Sequence, residues 1–289
     1  MSKNSETITL NSSNIIPFTN NSKFEYSFSS SVNLVDKVVG VQSISIYYSW
    51  YNINASLYNN HRFQYKWFDA NGELNDIFTI TIPDGNYDIT SLNLFIQASM
   101  TGNGHYTTYG GEKQFYISII DNPTYYSFQI TFTPMYSLDQ ISQNNPVLRG
   151  SNTWAFPSTP TTPQLIVNST GNFGKIIGFM SGAYPDTPQA IKTRINSNQT
   201  PEISPITSII VRCSLVKNSF SIPNDILYTF SQGSASFGDL IEIKPSYLST
   251  SNITSGSYNS FTLQLFDQNY KPINIIDNQI LITLVIQDK

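Results

Sequence analysis

The side chains best suited to nucleophilic or metal chemistry in this 289-residue chain are His61, His105 and Cys213. Acyl transfer needs a base beside a nucleophile, and imidazole is the usual base. His61 follows Asn59-Asn60 at the entry to an alternating segment, and His105 ends the run Thr101-Gly102-Asn103-Gly104-His105. Both contexts are polar and loop-like, and no Gly-x-Ser-x-Gly elbow occurs, so both histidines are expected to be solvated loop residues. Zinc held by imidazole requires a second ligand at a defined spacing, and neither histidine has one. Cys213 lies in the apolar register of Ile209, Val211 and Leu215 and is expected to pack in a core. A single cysteine excludes an internal disulfide framework and a cysteine-rich zinc site.

Oxygen ligands gather at Asp69, Asn71, Glu73, Asn75 and Asp76. A weak Ca²⁺ site is conceivable there, but the glycine and the final glutamate are misplaced for a calcium loop, which favours an ordinary polar hairpin tip. Gly102-Asn103-Gly104 follows a helix and does not open one, so it lacks the setting of a phosphate cradle. Glu25 and Glu242 are the carboxylates in strand interiors that a glycosidase pair would need, and each is expected to face solvent. Tyr47 and Tyr51 fall opposite Ile46 and Trp50, an outer-face aromatic platform that a sugar or a subunit interface could cover. No residue is therefore assigned as catalytic, cofactor-binding or metal-binding. No cofactor is expected, and the chain is read as a protein that is not an enzyme.

The elements that would carry these residues follow period two. Phe24/Tyr26/Phe28, Ile44/Ile46/Tyr48/Trp50, Phe78/Ile80/Ile82 and Phe115/Ile117/Ile119 alternate with small or polar residues. So do Tyr126/Phe128/Ile130/Phe132, Ile209/Val211/Cys213/Leu215, Phe261/Leu263/Leu265 and Ile280/Ile282/Leu284/Ile286. Each reads as a strand with one buried face. Asp69-Ala70-Asn71-Gly72 and Asp121-Asn122-Pro123 supply hairpin turns. A helix is predicted after Asp88, with Ile89, Leu92, Ile96 and Met100 on one face and Gly102 at its end. A second, of a turn or two, spans Asn172–Gly178. Long loops are expected at about 134–163 and 181–205, as exposed decorations or contact surfaces. The fold class is all-β: a jelly-roll sandwich with one or two short helices and long loops.

Composition narrows the role. Charged residues are 12% of the chain, about half the ~25% usual for soluble domains, while aromatic residues reach 13%. Such a chain is globular and not disordered. No apolar run approaches the ~20 residues that span a bilayer, and the first residues lack a signal-peptide pattern. The Asn-x-Ser/Thr triplets at Asn11, Asn54, Asn168 and Asn252 follow from composition. The net charge is −4, and Lys3 is the one basic residue among the first 22. Direct nucleic-acid binding is therefore not expected.

Three stretches in combination resemble a known family. Ile80-Thr81-Ile82-Pro83-Asp84-Gly85-Asn86-Tyr87-Asp88-Ile89-Thr90-Ser91-Leu92-Asn93 is similar to the strand, turn and short helix of viral minor capsid proteins. Gly174-Lys175-Ile176-Ile177-Gly178-Phe179 with Tyr184-Pro185 resembles their central element. Ile226–Phe230, Gly238–Ile241, Leu265–Asn269 with Pro272, and Leu281–Ile286 follow the order of the penton (vertex) proteins of virophages and Polinton-type viruses. The resemblance implies a structural minor capsid protein with a single jelly roll, forming pentamers at the five-fold vertices of an icosahedral virion. Its partners would be four further copies and the major capsid protein of the same shell, with no membrane span. The chain is short for that family, which argues against a large inserted domain. Residues 1–22 are expected to form an N-terminal arm or docking strand, with Thr7–Leu10 pairing within its own subunit as the alternative, and 23–289 one jelly-roll domain. Other readings are another jelly-roll capsid or spike protein, or a carbohydrate- or receptor-binding jelly-roll module.

Overall fold

The structure, a computed structural model, describes residues 5–142 and 147–289. It divides into two compact units. One comprises the two ends of the chain, Met1–Trp50 and Ile206–Lys289, and the other is the middle, Tyr51–Pro205. The first end supplies β1 (Ser5–Leu10), β2 (Lys23–Leu34) and β3 (Lys37–Tyr47). The middle supplies α1 (Ala55–Tyr58), β4 (Arg62–Trp67), β5 (Asp76–Thr81), α2 (Ile89–Gly102), β6 (Thr107–Tyr109), β7 (Glu112–Gln114), β8 (Ile117–Asn122) and β9 (Ser127–Phe132). It continues with α3 (Leu138–Ser142), β10 (Leu148–Arg149), β11 (Gln164–Val167), α4 (Phe173–Ile177), β12 (Gly182–Tyr184) and β13 (Thr193–Asn196). The second end supplies β14 (Ile209–Cys213), β15 (Ile226–Phe230), β16 (Leu240–Ile243), β17 (Thr250–Asn252), β18 (Gly256–Asp267) and β19 (Leu281–Asp288).

The unit built from the chain ends is the jelly roll. One sheet runs β1-β19-β3-β16, with β17 also on β3, and the other runs β15-β14-β18-β2. All pairings are antiparallel. Taken in chain order, the nine strands pass back and forth between a five-stranded and a four-stranded sheet, and only β14 and β15 are both consecutive and paired, the crossed connectivity of a jelly roll. Alternation builds the core: Phe261, Leu263 and Leu265 are buried while Thr262 and Gln264 between them are not. On β3 the parity switches. Leu284 pairs with Val41 while Thr283 pairs with Ser43, so a one-residue bulge turns both Val39/Val41 and Ile44/Ile46 inward. Cys213 is fully buried in the same core, as its register predicts.

The middle unit is also mostly β, with sheets β12-β11-β4-β5, β13-β9-β8 and β10-β6-β7. Its core is aromatic: Phe63, Tyr65, Trp67, Phe68, Tyr116, Phe132, Trp154, Phe173 and Phe179 are each almost wholly removed from water. Helix α2 starts where Asp88 accepts the Ser91 amide at 2.6 Å, and it buries Leu92, Ile96 and Met100. Its Asn93 side chain accepts the Ile119 amide of β8 at 2.9 Å. The β4–β5 turn needs glycine at Gly72, where φ is +80° and a Cβ would lie 2.4 Å from the Phe156 carbonyl oxygen.

Four expectations change. Where one jelly-roll domain over 23–289 was expected, the jelly roll uses only the chain ends, and the middle is a separate unit inserted between β3 and β14. The chain length argued against such an insertion, but the jelly roll needs fewer residues than the chain has. The segment 1–22 does not stand apart: β1 pairs with β19 from Ser5↔Gln287 to Leu10↔Ile282, burying Ile8 and Leu10. Within-subunit pairing therefore replaces the docking strand, while Lys3 lies outside the described residues. Finally, the stretches 134–163 and 181–205 are not mere decorations, since they contain short elements and bury Trp154, Phe156 and Thr162.

Leu10→Ala should destabilise the jelly-roll unit by about 2–5 kcal/mol, because it empties a fully buried site. Denaturant unfolding checks this, and deletion of residues 1–10 should lower the melting temperature by many degrees. An unchanged melt after that deletion would contradict the pairing of β1 with β19.

Candidate functional site

Polar side chains meet an enclosed aromatic setting in the middle unit, around His105. Strand β4 directs Phe63, Tyr65 and Trp67 to the core by alternation. Helix α2 ends at Asn103, and Gly104, at φ +72°, turns the chain so that His105 enters the interior. A Cβ at position 104 would lie 2.4 Å from the Ser151 Cβ, so the turn admits little else. The Asn103 amide donates to the Tyr65 oxygen at 2.8 Å, and Tyr65 and His105 Nδ1 are 2.7 Å apart. The phenol donates to Nδ1 in the Nε2–H tautomer and accepts from it in the Nδ1–H tautomer, so the direction of this bond follows the imidazole tautomer. The ring stacks on Trp67 at 4.9 Å and takes Phe78 edge-on at 4.3 Å.

This environment fixes protonation. Burial pushes the His105 pKa down to about 4 from its ordinary 6.5, keeping the ring neutral. Burial likewise raises Tyr65 to about 12, against a smaller opposing effect of the Asn103 hydrogen bond. Neighbouring Tyr116 is raised further by burial, its hydroxyl 2.6 Å from that of Thr107. The neutral imidazole is held by a phenol in an aromatic box. His105 is thus buried, where its polar sequence context suggested a solvated loop; the aromatic residues that enclose it come from β4, β5 and the 150s, distant in sequence. His61 is half-buried at the start of β4, with its carbonyl accepting the Ile82 amide at 2.8 Å.

The other candidates do not converge. Asp69 accepts the amides of Asn71 and Glu73 at 2.8 and 3.0 Å and the Asn75 side chain at 3.1 Å. Backbone donation, chiefly from Glu73, holds its carboxyl below the usual range. Its oxygens order the hairpin tip, and among the described residues no group of three or more His, Cys, Asp or Glu gathers to hold a metal ion. Burial raises the Cys213 thiol to about 12, which leaves it a poor nucleophile. Glu25 and Glu242 are exposed on different sheets, and Glu242 lies 3.8 Å from Lys244. Tyr47 and Tyr51 do not form the expected platform on one strand: β3 ends at Tyr47, and Tyr51 belongs to the other unit. Asn11 and Asn54 serve as caps of short helical turns. No helix among the described residues is long and apolar enough to cross a membrane.

No family model matches the sequence, and no curated protein matches it. Among solved structures, the mavirus penton protein is 14% identical with a TM-score of 0.48, covering 99% of this chain and 98% of that one. A chain from the cryo-EM structure of the Sputnik virophage is 14% identical with a TM-score of 0.41, over 99% and 98% of the two chains.

The buried His105 makes stability pH-dependent with a definite sign. The unfolded chain takes up the imidazole proton first, so this contribution is complete above about pH 6.5 and is lost as pH falls towards 4. The loss should reach about 3 kcal/mol. Denaturant midpoints measured across that window should fall for the native chain, and His105→Phe should flatten the slope whatever its own baseline. Equal slopes in the two proteins would contradict the buried neutral ring.

Proposed function

We propose that this protein is a structural minor capsid protein, a penton that closes the five-fold vertices of a virophage-like icosahedral shell. The observation that carries the reading is the strand order of the chain-end unit, two sheets of a jelly roll interrupted by an inserted unit. The resemblance of Ile80–Asn93, Gly174–Phe179 and the C-terminal third to virophage and Polinton-type vertex proteins supports it. So does the surface. Phe220 and Ile222, on the β14–β15 connection, are 102% and 91% exposed, and Tyr247 is 76% exposed. Large apolar side chains of this kind in a charge-poor surface mark protein contacts.

A ring of five needs heterologous contacts, in which one side of a subunit meets a different side of its neighbour. The jelly roll offers such unlike sides, because its two sheets end on different strands: β1 and β16 on one, β15 and β2 on the other. The role is structural, without enzymatic chemistry. The partners are further copies of this chain and the major capsid protein, the location is the virion vertex, and neither nucleic acid nor membrane is engaged directly. The net charge of −4 supports the first exclusion.

Native mass spectrometry at high protein concentration tests the assembly. A pentamer is expected, and Phe220→Ser with Ile222→Ser should shift it towards monomer without lowering the melting temperature of the monomer. A stable trimer would point to a spike in place of a vertex protein, and a stable dimer would also overturn the assignment.

A further inference from the structure

We propose that the cavity beside His105 is a binding site for one neutral sugar ring, the terminal unit of a glycan. The cavity measures about 270 Å³ and lies wholly within the middle unit. That is just below the roughly 300–1,000 Å³ of drug-sized pockets, a size suited to a single ring. Its walls are divided as a pyranose is divided. Half-buried Phe78 presents aromatic carbon, which suits the C–H face of a sugar, and the buried Phe68 and Trp154 back it. Asp76, Asn103 and Thr153, all exposed, stand around it with oxygen acceptors for hydroxyl donors. His105 lines the same space and is 2% exposed. Because Nδ1 is taken by Tyr65, Nε2 is the imidazole nitrogen left to meet a sugar hydroxyl, as donor or acceptor according to the tautomer.

The site is built before any ligand arrives. Asn103, Tyr65 and His105 form one hydrogen-bonded chain. The Trp154 indole donates to the Gly104 carbonyl at 2.9 Å, which fixes the opposite wall to the turn that carries His105. Preorganised walls lower the ordering cost of binding.

The charges select the class of ligand. No lysine or arginine lines the cavity and the Asp76 carboxylate does, so an anionic sugar or a phosphate would meet a like charge there. An aromatic wall with one carboxylate could instead invite a cation. However, the Arg149 guanidinium, outside the cavity lining, lies 5.9 Å from the Trp154 ring and donates to the Trp154 carbonyl, so that ring is already engaged by a cation. A neutral polyol with one apolar face meets the aromatic carbon and donates hydroxyls to the Asp76 carboxylate without bringing a like charge against it.

The inference does not depend on the assembly proposed above, since the oligomer and the glycoside are measured separately. Saturation-transfer NMR on the full chain with methyl glycosides of glucose, galactose and mannose is the test, with tetramethylammonium and a methyl sialoside as comparators. Transfer to at least one neutral glycoside is expected, with about tenfold weaker binding in Asp76→Ala and in Thr153→Val, both exposed positions. No transfer from any neutral glycoside, equal transfer in both variants, or transfer to a comparator alone would overturn the proposal.

Discussion

The strand β19 is the constraint on which the jelly-roll unit depends. It lies between β1 and β3, so the last described strand of the chain joins the first to the third, with Thr7 opposite Val285 and Ile286 opposite Val39. Its Ile282, Leu284 and Ile286 are buried, and without them the sheet β1-β19-β3-β16 would fall into separate pieces. The Lys37 ammonium donates to Asp288 at 2.6 Å across the last pair of that ladder, a part-buried surface contact of modest worth beside the apolar burial. Contacts this distant in sequence are slow to form, because the whole intervening chain must be closed into a loop first.

That closure explains how an insertion is tolerated. Once β1, β3 and β19 are paired, the connection between β3 and β14 adds little further closure cost with length, so a whole unit can occupy it. The inserted unit has its own aromatic core and its own hydrogen-bonded centre at Tyr65 and His105.

The sequence made the strands and turns legible because each depends on neighbours. Alternation at Phe261/Leu263/Leu265, the Asn-Gly turn at Gly72 and the Asp88 cap of α2 are local signals, and the structure has all three. The parity switch on β3 was not legible, since Val39/Val41 and Ile44/Ile46 look like two phases until the bulge beside Ser43 reconciles them. Nor was the division into two units, because nothing in composition changes at Trp50 or Ile206. His105 shows the same limit at the candidate site: its immediate neighbours are glycine and polar residues, and the rings that bury it arrive from other strands. Tyr47 and Tyr51 failed in the opposite way, because their spacing fits one strand that ends too early.

The central claim is that the two ends of the chain close one sandwich, and hydrogen exchange on the intact protein tests it most directly. Amides of Ile282–Ile286 and their partners at Val39–Ile44 should be among the slowest in the chain-end unit, with Thr7–Leu10 protected alongside them. Exchange of Thr7–Leu10 and Ile282–Ile286 as fast as the exposed connection at Phe220–Ile222 would contradict the account.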